Sequence, residues 1–327
     1  MRRVCIVAGL LLTPLACAAA ARFSGIDPDL LARANAGNAD AQRRVALAYE
    51  SGEAVPRDYA QAATWLRRAA AQGNALAEFD LAMLYRHGQG VPHDDTMAAA
   101  LYLQAADQNL ATAQFNIGLL CERGEGVPQD YALAVAWYRK AAEQGLAEAE
   151  NDLGALYEHG LGVPQNDATA AEWYRKSADQ GMAEAQFNLA VRYTAGRGVA
   201  QSDQLAAEWF SKAAAQGFAR AQNNLGALYE RGLGVPRDDA AAAQWYGRAA
   251  AQGHADAQFN LGRLYALGRG VAQSNAEAWF WMNLAAGRLS GAAHARAERF
   301  RDDIEKKLAP NDLAGLRERT RQLMAAR

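Results

Sequence analysis

The sequence predicts an all-α protein, an α/α superhelix (solenoid) of seven 36-residue helix-turn-helix repeats with capping helices. Three observations carry that prediction. The loop spelled GLGVPQND at 160–167 returns as GLGVPRDD at 232–239, and GQGVPHDD, GEGVPQDY, GRGVAQSD and GRGVAQSN fill the same period at 88, 124, 196 and 268. Self-similarity at a fixed period of about 20 to 50 residues marks a stacked repeat protein, in which each unit touches only its neighbours. Each period opens on Gly37, Gly73, Asn109, Gly145, Gly181, Gly217 or Gly253, without an insertion. Asn is the next-best residue after Gly for the left-handed turn that ends a helix, so this slot marks a helix C-terminus. Finally, apolar residues recur four and four apart after that slot, as in Ala149, Leu153 and Tyr157 or Ala221, Leu225 and Tyr229, which paints one stripe on a helix.

The chain begins differently. Arg2 and Arg3 precede a short apolar run from Val4 to Leu12, and ACAAAA at 16–21 offers small residues for cleavage, the layout of a secretory signal peptide. Residues 1–21 are therefore expected to be removed, leaving a mature chain that starts near Arg22. Two other readings stay open. Cys17 is a candidate for lipidation, although Pro14 stands where a lipobox wants Leu. An uncleaved anchor is the other, although Pro14 and the alanine-rich end make a poor span. Removal of Cys5 and Cys17 leaves Cys121 alone, in a slot that Tyr fills elsewhere, so the exported array must hold together by packing rather than disulfides.

Residues 22–36 read as an N-terminal capping helix, with Asp27 as N-cap and Pro28 in the first turn. Repeats occupy 37–288. In each, helix A carries the Ala-Leu-Tyr stripe and ends at a second glycine such as Gly160 or Gly232. A G-x-G-V-P loop follows, and then Asp58, Asp94, Asp130, Asn166, Ser202, Asp238 and Ser274 share one slot. Interchange among good capping side chains makes it the N-cap of helix B. Helix B carries Ala and, three residues on, Trp65, Leu101, Trp137, Trp173, Trp209, Trp245 and Trp281, expected to fill the gaps between units. Residues 289–327 supply C-terminal caps: an amphipathic helix over 292–308, then one from Pro310, covering an apolar end that no repeat can bury alone.

Units such as GFARAQNNLGALYERGLGVPRDDAAAAQWYGRAAAQ (217–252) resemble the Sel-one-like repeat (SLR), a longer relative of the tetratricopeptide repeat, and the closing AWFWMNLAA is similar to the usual end of bacterial members. The resemblance implies an α-solenoid that binds other proteins, often in the cell envelope, as an adaptor or regulator. Some cysteine-rich members are linked to β-lactam binding or hydrolysis, so a β-lactam- or peptidoglycan-directed binder or hydrolase is the alternative.

The residues argue against chemistry. Serine enzymes of the β-lactam class need Ser-x-x-Lys, which sets a base one helical turn from the nucleophile, and no serine here has lysine three residues later. The G-x-G loops join two helices, lack a following Lys-Ser/Thr and recur in six of the seven units, which points to backbone geometry rather than a nucleotide. His87, His93, His159, His254 and His294 form no His-x-x-x-His pair, and no metal set is expected. A net charge of −2 with no basic stripe excludes nucleic acid as the expected partner. No cofactor is expected, and membrane association only if the N-terminal segment is kept or lipidated.

What remains is the other face of helix A, concave in tetratricopeptide-like solenoids. Its seventh position reads Arg44, Asp80, Asn116, Asp152, Asn188, Asn224 and Asn260, and its sixth Arg43, Phe79, Phe115, Asn151, Phe187, Asn223 and Phe259. Asn both donates and accepts, which suits peptide backbone of any sequence, and Phe supplies desolvated area. Asp80, Asn116, Asp152, Asn188, Asn224 and Asn260, with Phe79, Phe115, Phe187 and Phe259, are therefore the candidate contacts for a peptide or protein. The competing role is structural: the amides bond neighbouring helices and the rings fill seams. Arg192 replaces an apolar residue and needs a partner, with Glu184 or Glu208 the acidic neighbours in sequence. Arg263 faces the same groove. The expected function is a non-catalytic protein-interaction module exported to the periplasm.

Overall fold

In the computed structural model residues 24–325 are described, so the export segment expected over 1–21 lies outside the described residues. Every regular element among them is an α-helix, seventeen in all. The chain divides into two compact bodies, one ending at Asp94 and the other beginning at Asp95, a boundary inside the second repeat. The first holds α1 (Pro28–Asn35), α2 (Ala39–Ser51), α3 (Tyr59–Ala70) and α4 (Ala75–His87). In the second, B helices α5 (Asp95–Asp107), α7 (Tyr131–Glu143), α9 (Asp167–Asp179), α11 (Asp203–Ala215), α13 (Asp239–Ala251) and α15 (Asn275–Ala286) alternate with A helices. Those are α6 (Ala111–Arg123), α8 (Ala147–His159), α10 (Ala183–Ala195), α12 (Ala219–Arg231) and α14 (Ala255–Leu267), and α16 (Gly291–Glu305) and α17 (Pro310–Ala325) close the chain.

Helix ends follow the residues named above. Asn109 is the one non-glycine at positive φ among the described residues, at 66°, in the slot that glycine fills elsewhere. Asp58, Asp130, Asn166, Ser202, Asp238 and Ser274 each accept a backbone N–H in the first turn of a B helix. The A helices are capped less evenly: Asn38, Asn74 and His254 accept such a bond, whereas Leu110, Leu146, Met182 and Phe218 occupy the same slot without one. Packing must hold those four starts.

The second loop glycine has a separate task. A Cβ on Gly198 would lie 1.9 Å from the Asp167 carbonyl oxygen, and one on Gly234 would lie 2.0 Å from that of Asp203. Each loop therefore seats on the first residue of the B helix one repeat earlier, too close for any side chain. In the first repeat this slot holds Ala54. The G-x-G spelling serves backbone-to-backbone contact between repeats.

The helix-B tryptophans divide: Trp65 and Trp137 are buried in the core. Trp173, Trp209 and Trp245 are half-buried, and Lys176, Lys212 and Arg248 from the next turn lie over their rings at 3.8, 3.8 and 4.3 Å. The residue that follows the tryptophan is buried at Tyr138, Tyr174, Phe210, Tyr246 and Met282. Tyr138, Tyr174 and Tyr246 lie flat against Gly118, Gly154 and Gly226, where an added Cβ would meet the ring at 2.7, 3.0 and 2.9 Å. The same two slots hold Ala190 with Phe210 and Ala82 with Tyr102. At the C-terminal end Trp279, Phe280, Leu284, Ile304 and Leu316 form one buried cluster that closes the stack. The amphipathic cap helix ends at Glu305, three residues short of Leu308, in a tight turn before Pro310.

Candidate functional site

Helix A presents three polar rows, and only one is open. The innermost is the fifth position, where Gln114, Gln186, Gln222 and Gln258 are buried. Each donates from Nε2 to a carbonyl at the end of the preceding B helix, as Gln222 does to Ala214 O at 3.1 Å. The Oε1 of Gln114, Gln186 and Gln222 accepts from a glutamine 30 residues on, as in Gln252 to Gln222 at 2.8 Å, and that of Gln258 accepts from Arg288. These amides satisfy carbonyls that a helix end leaves open and fix the register of adjoining helices.

The sixth and seventh rows meet across the seams. Asn188 donates to Asn151 at 3.0 Å, Asn260 to Asn223 at 3.1 Å, and Arg43 to Asp80 at 2.6 Å, each pair 37 residues apart. Asn116 donates to Thr112 O. Asp152 accepts from Asn151, and burial, with Glu122 and Glu184 nearby, pushes its carboxyl up to about 6. Asn224 differs: its Oδ1 accepts a long bond from Asn223, at 3.4 Å, and its Nδ2 has no partner among the described residues. The rings fill seams. Phe187 is buried against Phe210 and Phe218 and Phe259 against Phe300, while Phe115, beside Tyr138, and Phe79 are half-buried.

Arginines and carboxylates gather in two analogous clusters. Arg192 pairs with Glu158 at 2.5 Å and Asp167 at 3.3 Å, both outside its own helix and neither of them Glu184 or Glu208. Arg263 and Arg269 share Glu230, at 2.6 and 3.1 Å, and Arg269 also holds Asp239, whose carboxyl it pulls down to about 2. Tyr174 and Tyr246 donate to the same glutamates, and burial keeps both hydroxyls protonated well above the ordinary tyrosine range.

The first repeat lacks this donor. Leu66 stands in the tyrosine slot, and Glu50 is left with Oε1 buried and without a partner. Burial and then Asp80 raise the Glu50 carboxyl to about 7, against Arg43. The folded value lies above the ordinary 4.5, so the stabilisation is full below pH 4.5 and is lost as pH rises through about 7. Glu50→Gln should therefore stabilise the protein by about 1 kcal/mol at pH 8, allowing for solvent screening, and by little at pH 5. Urea midpoints that shift equally at both pH values would contradict this.

Between the seams the A helices leave two adjoining clefts that share Val191. One, of about 280 Å³, is lined by Val191, Thr194, Ala195, Phe210, Asn224, Ala227, Leu228 and Arg231. The other, of about 340 Å³, is lined by Ala155, Glu158, His159, Tyr174, Phe187, Asn188, Val191, Arg192 and Arg220. They bring Phe187, Asn188 and Asn224 together. Asn116, Asn260, Asp80, Asp152, Phe79, Phe115 and Phe259 line neither. Position pattern alone missed Arg220 and Arg231, which read as ordinary surface charge.

The Sel1 repeat model matches seven consecutive segments, 39–74, 75–110, 111–146, 147–182, 183–218, 219–254 and 255–287, each starting with an A helix. The chain belongs to the Sel1 repeat family. It is similar to a Sel1 repeat protein from Oxalobacter formigenes, with 34% identity over 83% of this chain and 78% of that one and a TM-score of 0.70. It is also similar to c5321, a protective antigen present in uropathogenic Escherichia coli strains displaying an SLR fold, with 29% identity, 90% and 85% coverage and a TM-score of 0.52. No curated protein matches the sequence. Sel1 repeat solenoids are typically protein–protein interaction modules, and their partners are proteins. In these repeats the small and aromatic signature residues make seams, whereas the residues facing the clefts vary from copy to copy.

Proposed function

We propose that this chain is a non-catalytic adaptor of the bacterial cell envelope that holds a peptide or protein on the helix-A face, the inner face of the stack. The observation that carries the reading is the cleft at Asn224, where an amide with a free Nδ2 stands beside Val191, Phe210 and Leu228. Such a group bonds peptide backbone without regard to sequence, and the apolar floor supplies the desolvated area. Asn188 and Asn260 already serve the seams, so Asn224 is the member of the row best placed to meet a ligand. Peptides selected from a random display library should bind about tenfold more weakly to Asn224→Ala, roughly one lost hydrogen bond, with an unchanged thermal midpoint. If no peptide can be selected, or selected peptides ignore the substitution, the reading fails.

The envelope location rests on the N-terminal Arg-apolar-alanine pattern, and the likeness to a protective antigen supports it. N-terminal sequencing of the native protein should start near Arg22; a cytoplasmic product that retains Met1 would overturn export.

A further inference from the structure

We propose that the two clefts select an extended peptide bearing an acidic side chain next to a bulky apolar one. This rests on the adaptor reading and gives its partner a chemistry. The first support is a charge left unmatched in a region where charges are otherwise matched. Arg192, Arg197, Arg263 and Arg269 all pair with carboxylates. Arg220 and Arg231, on the same helix α12, line the clefts and have no carboxylate partner among the described residues. His159 lies at the same cleft as Arg220. The one carboxylate in either lining, Glu158, is held by Arg192 and the Tyr174 hydroxyl, so the mouth keeps a positive balance.

The second support is preorganisation. The Arg220 guanidinium lies 4.3 Å from the centre of the Phe187 ring, so the side chain is already held before a ligand arrives. A stacked guanidinium keeps its donor edge free, and a carboxylate takes that edge with two parallel bonds. Arg192, itself 5% exposed, lines the same cleft with a buried Nε that has no acceptor, while its other nitrogens are held by Glu158 and Asp167. A bound carboxylate thus meets donors that need no rearrangement.

The third support is the neighbouring cleft. Val191, Ala195, Phe210, Ala227 and Leu228 make its walls apolar, and about 280 Å³ accommodates a side chain of leucine or phenylalanine size. Val191 belongs to both clefts, so they lie about one side chain apart. In an extended peptide, residues i and i+2 point to the same side about 6–7 Å apart. The ligand pattern is therefore acidic-x-apolar, with the Asn224 amide on the intervening backbone.

Capped ten-residue peptides in a Gly/Ser background, titrated into the purified protein by fluorescence anisotropy, test this. Asp-x-Leu should bind at least tenfold tighter than Asn-x-Leu, Lys-x-Leu and Asp-x-Ser, and its affinity should fall with added salt. Arg220→Gln should abolish the Asp-over-Asn preference, and Arg220→Glu should favour Lys-x-Leu; the side chain is exposed, and circular dichroism checks that both variants stay folded. Equal binding of Asp-x-Leu and Asn-x-Leu, or a preference that survives Arg220→Gln, overturns the proposal. So does binding that requires an uncapped C-terminal carboxylate. In those cases library peptides that depend on Asn224 would leave the adaptor reading standing, whereas the absence of any such peptide removes both.

Discussion

Gly234→Ala is expected to destabilise the protein by more than 3 kcal/mol and to broaden its unfolding transition. Two costs add. Gly234 sits at φ 69°, where a Cβ costs about 1 kcal/mol, and that Cβ would lie 2.0 Å from the Asp203 carbonyl oxygen. Backbone on both sides cannot swing away as a side chain tip can, so the loop must lift off the B helix of the preceding repeat. A repeat array is coupled through such nearest-neighbour seams, and loosening one lets the two sides unfold separately. Gly217→Ala is the matched control: φ is 89°, but nothing lies within 4 Å of its Cβ, so about 1 kcal/mol is expected. Urea unfolding followed by circular dichroism compares the two. Equal, small losses would show that the loop does not clamp the seam.

Arg192→Ala should cost about 3 kcal/mol, and Arg192→Leu less by about 1–2 kcal/mol. Removing one partner of a buried ion pair leaves the other charge stranded. Glu158 keeps the Tyr174 hydroxyl and Asp167 keeps Arg197, which limits that loss. The difference between the variants is packing: Leu120, Leu156, Leu228 and Leu264 occupy this slot in other repeats, so leucine fits the stripe where alanine leaves a cavity. Equal destabilisation by both would mean that the slot is not shaped for leucine in this repeat. The same urea experiment decides it.

The helix boundaries were legible because they rest on local chemistry. An aspartate column broken by asparagine and serine, and a glycine column broken once by asparagine, name the start and the end of every B helix without any long-range information. The seams were harder. Gln222 looks like a surface residue in the sequence, since nothing local says that its partners are Ala214 and Gln252. The partner of Arg192 was missed for the same reason: Glu158 lies 34 residues back, beyond the helix whose neighbours a periodicity argument can see. At the tryptophans Trp65 and Trp137 are buried as expected, whereas Trp173, Trp209 and Trp245 are half-buried with a cation over the indole and the ring that follows each is buried. At the candidate site the sequence located the rows, but which amide stays unengaged depends on the residue opposite. Asparagine at 151 and 223 engages Asn188 and Asn260, whereas Phe187 leaves Asn224 available.

Much of each seam reuses the same slots at the same offsets, the second loop glycine and the fifth-row glutamine among them. A crossover between two copies of the coding DNA therefore deletes or duplicates a block of thirty-six codons without disturbing the frame, and the newly joined ends already fit. The number of ligand-facing clefts is in that sense a heritable quantity, which a lineage can raise or lower in whole steps while each cleft diverges on its own.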